Sequence, residues 1–157
     1  NNGDFILIAE NQFNQNYDAY QNIIATSFAP GGIYKWTRVI KKRQNIEPQF
    51  YFNHSSYYLH APENSDIIYF VFNERDKNEF RSPDDRRKPF NPNDPANLKV
   101  VSIDPLGDMN SAYIYRKESN KMKTPIPLIG YDKLNNEMVI PVSRMKKYEY
   151  INFTFNE

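Results

Sequence analysis

The chain has 157 residues, with 20 Lys and Arg against 19 Asp and Glu and a formal net charge of +1. That length suits one domain burying roughly 68–70% of the surface its unfolded chain exposes, and the balanced charge gives no electrostatic reason to expect nucleic acid or an acidic membrane as partner. There is no cysteine, which excludes disulfides, thiolate metal sites and cysteine nucleophiles, and no apolar run approaches the roughly 20 residues of a membrane helix, so no transmembrane segment is expected.

The first predicted strand is Asp4 to Ala9, DFILIA. Its almost continuous apolar run suits a strand buried on both faces. Asn11 to Tyr20, rich in Asn, Gln and Tyr, reads as a polar loop. Asn22 to Gln44 then reads as a β-hairpin, with strands near 22–29 and 33–41 around Pro30-Gly31-Gly32 and the single tryptophan, Trp36, on its second strand. The basic run Lys41-Lys42-Arg43 reads as a solvated strand end, with an anion site as the alternative.

Residues 45–54 are expected to be a connection, followed by a strand over Ser55 to Ala61 and a turn at Pro62-Glu63-Asn64-Ser65. Asp66 to Asn73, DIIYFVFN, has the aromatic and β-branched content of a central strand. Residues 75–97 read as a Pro-rich insertion loop, because Pro83, Pro89, Pro92 and Pro95 are incompatible with a central strand or a helix interior. Strands are predicted at Leu98 to Asp104, Met109 to Arg116, Thr124 to Gly130, Met138 to Val142 and Tyr148 to Phe155, with turns at Pro105-Leu106-Gly107-Asp108 and Leu134-Asn135-Asn136. No segment carries a helical period, so the expected class is all-β, a single region over 1–157.

The strands also align with one another. Asp4-Phe5-Ile6-Leu7-Ile8 matches Asp66-Ile67-Ile68-Tyr69-Phe70 and, more loosely, Glu137-Met138-Val139-Ile140-Pro141, while Pro30-Gly31-Gly32 matches Pro105-Leu106-Gly107. Four antiparallel strands per unit is the content of a β-propeller blade; a lipocalin-like barrel or a β-sandwich are the alternatives. The match of Asn1-Asn2-Gly3-Asp4 to hairpin tips predicts that the strand before Phe5 lies upstream, making this the C-terminal part of a larger propeller-like domain.

The segment Trp36-Thr37-Arg38-Val39-Ile40-Lys41-Lys42-Arg43-Gln44, with Ile68-Tyr69-Phe70-Val71-Phe72-Asn73-Glu74 and Lys77-Asn78, resembles a family of extracytoplasmic repetitive β-proteins from Bacteroidota. That family is marked by a W-x-x-x-I-x-K-x-Q segment and an apolar strand ending in Asn-Asp before Lys-Asn; Glu74 stands here where aspartate is usual. The resemblance implies a periplasmic or cell-surface location and carries no activity.

Catalytic chemistry is not indicated. His54 and His60 lack a nearby carboxylate partner for a metal pair or a dyad. Asp84-Asp85 with Asn91, Asn93 and Asp94 lack the alternation and glycine of a calcium loop. No nucleophile elbow, phosphate-binding loop or zinc-protease helix is present. The sequence therefore predicts no enzyme, no cofactor and no metal, but a structural or protein-interaction module of a cell-surface assembly. Its partner would be another protein or the missing upstream part of the same one. The alternative is a glycan-binding surface protein whose aromatic platform is built from Tyr34, Trp36, Tyr57 and Tyr58, residues that core and cross-strand packing would equally explain.

Overall fold

The structure is a computed structural model that describes residues 3–14, 18–46, 56–62, 65–82, 86–90, 95–115, 124–144 and 147–154. Eleven strands are described: β1 (Phe5–Asn14), β2 (Asp18–Ala29), β3 (Ile33–Ile40), β4 (Gln44–Ile46), β5 (Tyr58–His60), β6 (Ile68–Arg75), β7 (Ala96–Ile103), β8 (Met109–Tyr115), β9 (Gly130–Asp132), β10 (Glu137–Arg144) and β11 (Lys147–Thr154). No α-helix occurs among the described residues, and the class is all-β.

The described strands form three antiparallel sheets, each following chain order. The first is β1-β2-β3, with β4 continuing alongside β2 beyond the end of β3; the second is β5-β6-β7-β8; the third is β9-β10-β11. The second sheet is the middle layer. Ile68, Phe70, Phe72, Val101 and Ile103 on one face pack with Ile23, Ala25, Trp36 and Ile40 of the first sheet. Val71, Leu98 and Val100 on the other face pack with Met138, Ile140 and Val142 of the third sheet and with Ile126 and Ile129. Coverage on both faces explains why β6 opens on the continuous apolar run Ile68 to Phe72 and why every residue of β7 except Ser102 is buried, where a half-exposed strand would alternate. Phe70 and Phe72 are fully buried, each worth roughly 1.5–3 kcal/mol.

Several local expectations are corrected. The described parts of Asn11 to Tyr20 are not a loop: β1 runs to Asn14 and β2 starts at Asp18, pairing Gln12 with Tyr20 and Asn14 with Asp18 past a bulge near Glu10. Its polar side chains misled because backbone pairing, not side-chain burial, extends a hairpin. Gln44–Ile46 is a strand paired with Asp18–Tyr20, not part of a connection. Thr124 to Gly130 is not a strand; Pro125 and Pro127 force a 3-10 turn over Ile126–Leu128, and pairing begins only at Gly130.

The aligned apolar runs fall on β1, β6 and β10, but not with one facing. Ile6 packs toward the second sheet, whereas its aligned partner Ile68 packs back toward the first. Side chains alternate along a strand, so a one-residue slip in the alignment exchanges the two faces. His54, Asp84-Asp85, Asn91, Asn93 and Asp94 lie outside the described residues.

Candidate functional site

The four aromatic candidates do not share one surface. Tyr34 and Trp36, two apart, would face the same way on a regular strand. A bulge at Lys35 prevents this: Ser27 pairs with Trp36 while Phe28 pairs with Tyr34, so the two rings lie on opposite faces. Tyr34 is 60% exposed and Trp36 only 6%. The Trp36 indole donates from Nε1 to the Pro105 carbonyl at 3.0 Å, and Arg38 donates to the Gly107 carbonyl, so this face of β3 grips the β7–β8 turn. Tyr57 packs against Phe70 with ring centroids 5.7 Å apart. Tyr58 neighbours His60, which is buried among Tyr58, Tyr69 and Tyr131. Burial lowers the His60 pKa, which keeps the ring neutral near pH 7.

The polar groups buried between the sheets are engaged in holding segments together. Lys42 Nζ is paired with Glu10, bonds Gln44 Oε1 at 3.0 Å and faces the Tyr20 and Tyr57 rings. Gln44 in turn donates to the Asn73 carbonyl at 2.8 Å and accepts from the Ser56 amide at 2.7 Å, tying the first sheet to the second. Asn73 donates to the Thr124 carbonyl at 2.7 Å and accepts from the Thr124 amide at 3.2 Å. Glu74 receives Lys99 at 3.2 Å and the Tyr113 hydroxyl at 2.8 Å. Each network spans two chain segments, which is the work of a fastener. No group of three or more His, Cys, Asp or Glu that could hold a metal ion occurs among the described residues. No helix among them is long and apolar enough to cross a membrane.

What stands out is the outer face of the first sheet. The register places three cross-strand rows there: Phe5, Phe28 and Tyr34; Leu7, Thr26 and Thr37; Ala9, Ile24 and Val39. Phe5 stacks on Phe28 at 5.1 Å, and Phe28 meets Tyr34 edge-on at 6.4 Å. Phe5, Leu7, Ile24, Tyr34 and Val39 are all exposed, Leu7 to 61%. The outer face of the third sheet is different in kind: Asn152 and Thr154 bond the Glu137 carboxylate there. The outer face of the third sheet thus mixes this polar cluster with the exposed Tyr150, whereas that of the first is a contiguous apolar patch. Sequence reading missed this surface as a site, although DFILIA carried the signal: a run apolar at odd and even positions expects cover on both faces, and the described chain covers one. Compared with known proteins, the chain matches no family model, no curated protein and no solved structure.

Proposed function

We propose that the chain is a non-catalytic structural and protein-interaction module, and that the outer face of its first sheet docks an antiparallel β-sheet of a protein partner. The exposed apolar face of β1–β3 carries this reading. Contiguous apolar surface rimmed by polar residues marks an interaction site, and a flat sheet face is complementary to another sheet, the contact this protein already makes twice within itself. The face is the one that, in the second and third sheets, is covered by the sheet before it. That correspondence supports the reading of the three sheets as blade-like units of a larger propeller-like array. The resemblance to extracytoplasmic repetitive β-proteins supports a place in the periplasm or on a cell surface.

Dye binding tests the docking face. The protein should enhance anilinonaphthalene sulfonate fluorescence, and Leu7→Asp with Val39→Asp should abolish the enhancement while leaving the β-sheet circular dichroism unchanged. A protein that leaves the dye dark loses the proposal.

Glycan binding is the second reading, favoured by the Phe5–Phe28–Tyr34 strip alone. A sugar platform also needs polar groups around the ring, and the neighbours here are Leu7, Ile33 and Thr26. Tyr34→Ala screened against polysaccharides separates the two readings: binding by the parent and loss in the variant would favour the glycan.

A further inference from the structure

Two basic runs far apart in sequence meet around one crevice. Lys41, Lys42 and Arg43 follow β3, and Arg86 and Arg87 belong to the Pro-rich segment between β6 and β7; together they line a cavity of about 270 Å³ that has no acidic residue among the described residues of its lining. The meeting is built by the backbone. The Phe90 amide donates to the Arg43 carbonyl and the Asn45 amide to the Phe90 carbonyl, both at 2.9 Å, and the Phe90 side chain is fully buried. Asn78 clamps the same segment, donating to the Lys88 carbonyl and accepting from the Lys88 amide, each at 2.8 Å, while Arg87 donates to the Asn78 carbonyl at 2.8 Å.

The cations differ in what they are committed to. Lys42 is held by Glu10. Arg87 lies 3.7 Å from Glu74, and its Nε is buried without a hydrogen-bond partner. Arg43 and Arg86 pair with no carboxylate among the described residues. A protein of nearly balanced charge has therefore gathered, at one place, two guanidinium groups that no carboxylate of the described residues neutralises, those of Arg43 and Arg86. Lys41 and Arg87 also line an adjoining cavity of about 370 Å³, whose wall includes the apolar Val39, Val101 and Met109.

We infer that this crevice is a binding site for an organic phosphate or sulfate ester, its tetrahedral anion held by Arg43, Arg86 and Arg87 and its organic part lying along Val39, Val101 and Met109. Guanidinium forks match such oxyanions in bidentate geometry. Residues 86–90 act as the second jaw of the site, and the Asn78 clamp and the Phe90 plug fix their position. The site meets the docking face of the first sheet only at Val39, and its anion-binding arginines lie outside that face.

Isothermal titration of the full chain with phenyl phosphate, phenyl sulfate, inorganic phosphate and inorganic sulfate tests the assignment. At least one ester should bind about tenfold more tightly than its inorganic ion, with affinity falling as salt rises. Arg43→Gln with Arg86→Gln should weaken that binding about tenfold or more at an unchanged melting temperature, because among the described residues only the backbone carbonyls of these two enter hydrogen bonds. Phosphate or sulfate preference between the two esters identifies the headgroup. Absence of binding by all four probes, binding unchanged in the double variant, or an equal loss in the distant control Lys35→Gln would each overturn the assignment.

Discussion

Gly107 sits directly against the indole of Trp36: a Cβ at this glycine would lie 2.7 Å from Trp36 Cγ and 2.9 Å from Cδ2. Gly107 also has φ +86°, a left-handed conformation that resists any side chain. The β7–β8 turn and the β3 strand are therefore locked by one close approach and two hydrogen bonds, from Trp36 Nε1 to the Pro105 carbonyl and from Arg38 to the Gly107 carbonyl. Gly107→Ala should destabilise the protein by about 2–4 kcal/mol, combining backbone strain with overpacking. Urea titration followed by fluorescence measures this well, since Trp36 is the only tryptophan. Its emission should shift to the red in the folded variant, and an unchanged midpoint would refute the contact's role.

Lys42 gives stability a pH dependence of definite sign. Burial outweighs attraction to Glu10 and lowers its pKa to about 8. In the unfolded chain it titrates near 10.4. Between those values the unfolded chain holds a proton that the folded one has released, so stability rises with pH, by up to about 3 kcal/mol across the window. Above about pH 10 the opposite sign takes over. Burial, then Glu10, raises the Tyr57 pKa, so the unfolded chain releases a proton that the folded one keeps. Urea midpoints at several pH values from 7 to 10 should climb in the parent and lose most of that climb in Lys42→Met. A parent profile that is flat or falling would contradict the placement of Lys42.

Asn73 holds the segment before β9 by imitating a strand neighbour, since its amide serves both the amide and the carbonyl of Thr124. Asn73→Leu fits apolar surroundings but leaves two buried backbone groups unsatisfied, and should cost about 2–4 kcal/mol. Asn73→Asp retains the acceptor but buries a carboxylate against the Thr124 carbonyl, and should cost at least as much at neutral pH. Hydrogen exchange at Thr124 reads the effect locally. Equal protection in Asn73→Leu and the parent would show that the bond contributes nothing.

The sequence exposed the strands and their class because apolar β-branched and aromatic runs, broken by Pro30-Gly31-Gly32 and Pro105-Leu106-Gly107, report pairing directly. Facing was harder. The bulge at Lys35 has no residue signature, yet it alone separates Tyr34 from Trp36. The polar extension from Asn11 to Tyr20 hid a strand, because its stability comes from main-chain pairing on both sides of β2. Residues 86–90 looked structureless since their order rests on two residues, Asn78 and Phe90, whose partners are distant in sequence. Of the residues that marked the family resemblance, Trp36, Gln44, Asn73, Glu74 and Asn78 all fasten one segment to another.

The docking face of the first sheet is tested most directly by sedimentation velocity over a wide range of protein concentration. In isolation the protein has only copies of itself to cover Phe5, Leu7, Ile24, Tyr34 and Val39. The parent should associate as concentration rises, and Leu7→Asp with Val39→Asp should sediment as a monomer throughout with unchanged circular dichroism. A parent that stays monomeric over the whole range, or a variant that associates as the parent does, would contradict the account.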